Sequence, residues 1–127
     1  MKSAKCILTG LLVLAAFVLQ GCVVAAIGAG AGTVAYVMGD LEAFESADID
    51  KVYDAGLAAA EDLELNVTQK SRDALSATIV ARDAQDKKIT IKLVSTAEGS
   101  TKISIRVGMF GSETKSQLIY NQIRKHL

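Results

Sequence analysis

Catalysis needs several reactive groups brought together, and this chain of 127 residues offers few to bring. It has a single histidine, His126, and two cysteines, Cys6 and Cys22. His126 is the penultimate residue, where chain ends fray, so a Ser-His-Asp or Cys-His relay built on it would lack a fixed frame. No His/Cys spacing fits a zinc site. The carboxylates crowd onto one helix at surface positions, whereas a general acid–base pair must line a cleft. Gly28-Ala29-Gly30-Ala31-Gly32 has neither a strand before it nor a Lys-Ser/Thr after it, as a phosphate loop requires. The expectation is therefore no catalytic residue, no metal ligand, no cofactor and no enzymatic activity.

Cys22 is the exception. Lys2 and Lys5 precede an uncharged apolar run from Cys6 to Val18, the layout of a secretory signal peptide. The run closes on Leu19-Gln20-Gly21-Cys22, and a small residue before a cysteine with leucine three places upstream resembles the bacterial lipobox. Gln20 departs from the small or hydroxyl residue usual at its place. The resemblance implies that residues 1–21 are a lipoprotein signal peptide and that the Cys22 thiol is lipidated, Cys22 becoming the mature N-terminus. The bland alternative is an uncleaved anchor helix with an incidental cysteine. Val23, where aspartate would favour inner-membrane retention, points to the outer membrane, facing the periplasm.

Cleavage there leaves 106 residues, enough for one small domain. With Cys6 removed and Cys22 acylated, that domain has no thiol for a disulfide and must be held by its apolar core. The formal net charge is zero, but residues 40–64 hold nine acids against one base, Lys51, and residues 65–127 hold eleven bases against five acids. Residues 22–39 form a lipidated, Gly/Ala-rich membrane-proximal segment with no charge at all. As a helix, residues 23–39 would run about 25 Å, a little short of a hydrocarbon core roughly 30 Å thick. Gly28 and Gly32 would bare one face of it for close helix packing in lipid. The alternative is a tether, since glycine and valine make a poor helix in water.

The elements that follow are legible from period. Ile49, Val52, Tyr53, Gly56, Leu57, Ala60 and Leu63 recur at three- and four-residue steps, giving a helix capped by Ser46 or Asp48. Gly56 in that stripe predicts a close backbone approach. The period then becomes two, with strands around Leu65–Thr68, Leu75–Arg82, Lys88–Leu93 and Lys102–Val107 joined by short turns. Ser112 caps a last helix whose apolar stripe is Ile119, Tyr120, Ile123 and Leu127. The predicted fold is α+β: a two-layer sandwich over residues 40–127, with a four-stranded antiparallel meander and two helices on one face (αββββα).

That layout leaves Arg82, Lys88, Lys92, Lys102 and Arg106 on the uncovered face, with Thr78, Thr90 and Ser104 among them. Aligned cations there form a candidate interaction face for an envelope protein or an anionic envelope polymer. The bland reading is that lysine and threonine are ordinary on a solvated sheet, and lysines also guard its edges. Nucleic acid is not expected, because the face has no aromatic residue to stack a base.

The block Ile103-Ser104-Ile105-Arg106-Val107-Gly108-Met109-Phe110-Gly111 leads into a Ser/Glu-rich helix start. Upstream stand the lipobox cysteine, Gly-Ala-Gly-Ala-Gly, Tyr36-Val37-Met38-Gly39-Asp40-Leu41 and Lys51-Val52-Tyr53-Asp54-Ala55. Together these resemble the small bacterial lipoproteins of the domain-of-unknown-function 3568 family, across essentially the whole chain. The resemblance implies a single small α+β lipoprotein domain and carries over no ligand or site residue. Phe110 is expected to insert under the last helix, and Gly108 and Gly111 to serve turn geometry. The functional expectation is a non-catalytic envelope lipoprotein, tethered through Cys22, acting as an interaction or structural module. The alternative is a small-ligand or lipid binder using a pocket between helices and sheet near Tyr53, Phe110 and Tyr120.

Overall fold

The computed structural model describes residues 34–96 and 99–127. Cys22 and the leader, like residues 23–33, lie outside the described residues. The chain folds as β1 (Val34–Val37), β2 (Asp40–Glu45), α1 (Ile49–Asp62), β3 (Asn66–Arg72), β4 (Ser76–Arg82), β5 (Lys88–Thr96), β6 (Ser100–Val107) and α2 (Glu113–Arg124). The class is α+β, as expected, but the sheet has six strands and not four, in the order β1-β2-β6-β5-β4-β3. Every neighbouring pair is antiparallel.

The meander β3 to β6 is the expected one. The two additional strands form a hairpin before α1. Val34–Val37, read above as part of the uncharged membrane-proximal segment, pair with Asp40–Ala43. Met38 and Gly39 between them take φ values of 51° and 90°. Two successive positive φ values are the mark of the tight turn whose twist suits a hairpin. β2 then alternates, burying Leu41 and Ala43 completely while Asp40, Glu42 and Phe44 face outward. It docks on β6 in the register Leu41↔Ile105 and Ala43↔Ile103.

The inner face of the sheet follows the period-two pattern. β4 buries Ala77, Ile79 and Ala81, β5 buries Ile89, Ile91 and Leu93, and β6 buries Ile103, Ile105 and Val107. Leu75, expected to continue the inward series, precedes β4 and is exposed in a turn held by Asp73, whose carboxylate accepts the Leu75 and Ser76 N–H groups. Val52, Tyr53, Ala55 and Ala59 of α1 and Ile119, Tyr120 and Ile123 of α2 cover that face.

Small residues on α1 bring it close to the sheet. A Cβ on Gly56 would lie 2.9 Å from Ile79 Cδ1, so the close approach expected there is present. Asp48 occupies the N-cap of α1, yet its side chain makes no capping hydrogen bond. The start of the helix is instead tied to the sheet by buried Thr101, whose hydroxyl donates to the Ala47 carbonyl at 2.7 Å. Ser112 caps α2 as expected, accepting from the Lys115 N–H.

Candidate functional site

The open face of the sheet carries the predicted cations, but it carries acids as well. Cross-strand partners share a face, so the pairs Thr78↔Lys92, Thr90↔Arg106, Arg82↔Lys88 and Lys92↔Ser104 put the expected residues together. β2 adds Asp40, Glu42 and Phe44 to the same surface, through Glu42↔Ser104 and Phe44↔Lys102, so the face does hold an aromatic residue, contrary to expectation. Lys102 Nζ lies 3.1 Å from Glu42 Oε1, and Arg106 Nη1 lies 2.8 Å from Asp40 Oδ1. Arg82 turns to the β4–β5 loop, donating to the Asp86 carbonyl at 2.9 Å. The five expected cations are therefore not equivalent. Lys102, Arg106 and Arg82 are engaged, whereas Lys88 and Lys92 have no ion pair with a described residue. Missing the β2 acids followed from missing β2.

Lys92 borders a small polar recess of about 140 Å³ completed by Asp40, Thr90, Ser104 and Arg106. Its walls are two hydroxyls, one neutralised Arg–Asp pair and one lysine without a described ion pair. An anion placed there would meet donors on several sides, and exposed charge of this kind attracts over roughly a Debye length.

Arg106 has a further role that the sequence reading did not see. Its guanidinium also donates to the Met38 carbonyl at 3.3 Å and the Met109 carbonyl at 3.2 Å. It thus joins the β1–β2 turn to the loop between β6 and α2. The two backbones touch directly at Gly39 and Gly111, since a Cβ on Gly111 would sit 2.2 Å from the Gly39 oxygen. Gly108 and Gly111 have φ values of 74° and 81°, so they do serve turn geometry as expected. Phe110 does not insert under α2: it is 88% exposed, beside Met109 at 81% and Met38 at 91%. The signal in the sequence was the pair of glycines around Met109-Phe110, which lifts those side chains off the helix. An open cleft of about 620 Å³ lies at this end, with Lys87, Lys88, Thr90, Arg106, Met109 and Phe110 in its lining.

Tyr53 and Tyr120 are buried in the core while Phe110 stands outside, so these three do not line one space. The Tyr120 hydroxyl donates to Glu45, and burial together with that carboxylate pushes its pKa well above the ordinary value. Arg124 Nε lies 3.3 Å from the same Glu45 carboxylate. His126 pairs with Asp62, whose carboxyl is held below its usual range by the His126 and Gln122 hydrogen bonds. Among the described residues no group of three or more His, Cys, Asp or Glu could hold a metal ion, and no helix is long and apolar enough to cross a membrane.

No curated protein matches the chain. The profile of the family described as protein of unknown function (DUF3568) matches residues 5–126, nearly all of it and including the block Ile103–Gly111. The α+β domain built around that block is thus a member of the DUF3568 family.

Proposed function

We propose that this protein is a non-catalytic envelope lipoprotein, anchored through lipid on Cys22 at the periplasmic face of the outer membrane, whose domain acts as an interaction module. The leader and the lipobox-like Leu19-Gln20-Gly21-Cys22 support the anchor. The observation that carries the interaction role is the open sheet face. Lys88 and Lys92 stand there without an acidic partner among the described residues, next to the recess formed with Thr90 and Ser104. The fitting partner is an anionic envelope polymer, recognised by field and by charge-assisted hydrogen bonds.

The test is co-sedimentation of the detergent-solubilised full chain with purified peptidoglycan sacculi at increasing salt, comparing wild type with K88E/K92E. Retention that weakens with salt and is lost in the double variant is expected. Equal retention of both proteins would refute the face. Arg106 is left unchanged in this test because it holds two loops together, so its reversal would report on folding. The intact mass of the membrane-extracted protein separately reads the anchor: acyl mass on a chain beginning at Cys22 is expected, and an unmodified chain beginning at Met1 would exclude it.

A further inference from the structure

The loop end of the domain exposes three large apolar side chains that none of the described residues covers. Met38 protrudes from the β1–β2 turn, Met109 and Phe110 from the β6–α2 loop, and each is more than four-fifths exposed. The two loops are not free to fold these side chains inward. Arg106 holds the carbonyls of Met38 and Met109, and the Gly39 and Gly111 backbones are in contact. A firm apolar tip of this kind marks a surface that meets something else.

We infer that Met38, Met109 and Phe110 form a second membrane contact, dipping into the interfacial region of an anionic phospholipid bilayer beside the lipid anchor. The inference rests on the anchored reading given above. Three observations favour lipid as the occupant. First, the chain is uncharged from Cys6 to Gly39, so no charge separates the lipidated cysteine from the tip. Twelve residue steps link Cys22 to Val34, a reach of at most about 40 Å, which keeps the hairpin close to the bilayer. Second, Lys87 and Lys88 line the cleft beside Met109 and Phe110. The nearby acids Asp40, Asp83 and Asp86 are taken up by Arg106, Lys115 and Arg82, which leaves those lysines for phosphate headgroups. Third, side chains this exposed protrude. A protein partner must supply a matching pocket for each, whereas a fluid bilayer accommodates a projecting methionine or phenylalanine without shape complementarity.

The protein has no tryptophan, so F110W is a lone reporter. The full chain carrying F110W is reconstituted in phosphatidylethanolamine/phosphatidylglycerol vesicles with or without brominated acyl chains. L75W, at the opposite end of the sheet, is the control. Roughly twofold lower emission at position 110 in brominated lipid, with position 75 unaffected, is the expected result. M109W provides an independent reporter should F110W fold poorly, and it should behave in the same way. Unquenched emission at 110 and 109, or equal quenching at 75, overturns the contact. Emission at 110 that follows protein density in unbrominated vesicles also overturns it, because a second copy then covers the tip. The intact mass at Cys22 is read on the same sample. Quenching without acylation removes the anchor and keeps the tip; acylation without quenching does the reverse.

Discussion

Gly108 and Gly111 offer a measurement in which backbone strain and steric contact separate. They lie three residues apart in one loop, with nearly equal φ values of 74° and 81°. A Cβ on Gly108 meets nothing within 4 Å, whereas one on Gly111 would lie 2.2 Å from the Gly39 oxygen and 2.6 Å from the Tyr36 hydroxyl. Replacing either glycine by alanine places an L residue in the left-handed region, at a cost of about 1–2 kcal/mol. Lower freedom of the unfolded chain returns about 0.4–1 kcal/mol of that. G108A is therefore expected to lose roughly 0.5–1 kcal/mol. G111A must in addition push the β1–β2 turn away by more than an ångström to reach an ordinary contact distance. That displacement pulls the Met38 carbonyl away from Arg106, a hydrogen bond worth about 0.5–1.5 kcal/mol, and adds overpacking strain of about 1–3 kcal/mol. The expected gap between the variants is about 2 kcal/mol, or roughly 10 °C in Tm for a domain of this size. Urea unfolding of the full chain in mild detergent, followed by far-ultraviolet circular dichroism, reads it as a shift in midpoint at constant slope. Equal losses in G108A and G111A would refute the close contact of the two loops, and with it the fixed tip.

Four further outcomes follow from other contacts described above. R106K keeps the charge but loses the planar fork that spans three acceptors, so it should cost about 1–2 kcal/mol in the same unfolding assay. K102A, which breaks only a partly exposed pair with Glu42, should cost less than about 0.5 kcal/mol. G56A gains helix propensity of about 1 kcal/mol but drives its Cβ against Ile79 Cδ1, so it should destabilise the wild-type background. In an I79V background, which lacks that methyl, G56A should be better tolerated, with a coupling near 1 kcal/mol in a double-mutant cycle. The pKa of Tyr120 is raised in the folded state, so its contribution is fully present below the unfolded value near 10 and is lost as pH rises beyond it. Urea midpoints taken up to strongly alkaline pH should therefore fall less steeply in Y120F, which at neutral pH is about 1 kcal/mol less stable for want of the Glu45 hydrogen bond.

The meander and both helices were legible because their signals are local. Ile89, Ile91 and Leu93 alternate within one strand, and Ile119, Tyr120 and Ile123 recur at helical spacing, whatever the rest of the chain does. The hairpin before α1 was less so. Asp40 to Glu45 does alternate, but only Leu41 and Ala43 mark the inner side, and Met38-Gly39 is not the usual turn pair. Its first strand was also hidden in an uncharged run that reads equally as a membrane segment.

Local residue patterns set the two periodicities, the order of elements from α1 onward, the class, the family, and the types of residue on each side of the meander strands β4 to β6. What lies beside them was set by long-range packing. Leu41 pairs with Ile105, and the β2 acids meet Lys102 and Arg106, across about half the chain. No local pattern names a partner at that distance, because the choice is made by which sheet edge remains open once the helices are packed. For the same reason Arg106 became a clamp and not a free cation, and Phe110 ended outside. Side-chain type dictates what a residue can do, and the neighbours supplied by the fold dictate which of those it does.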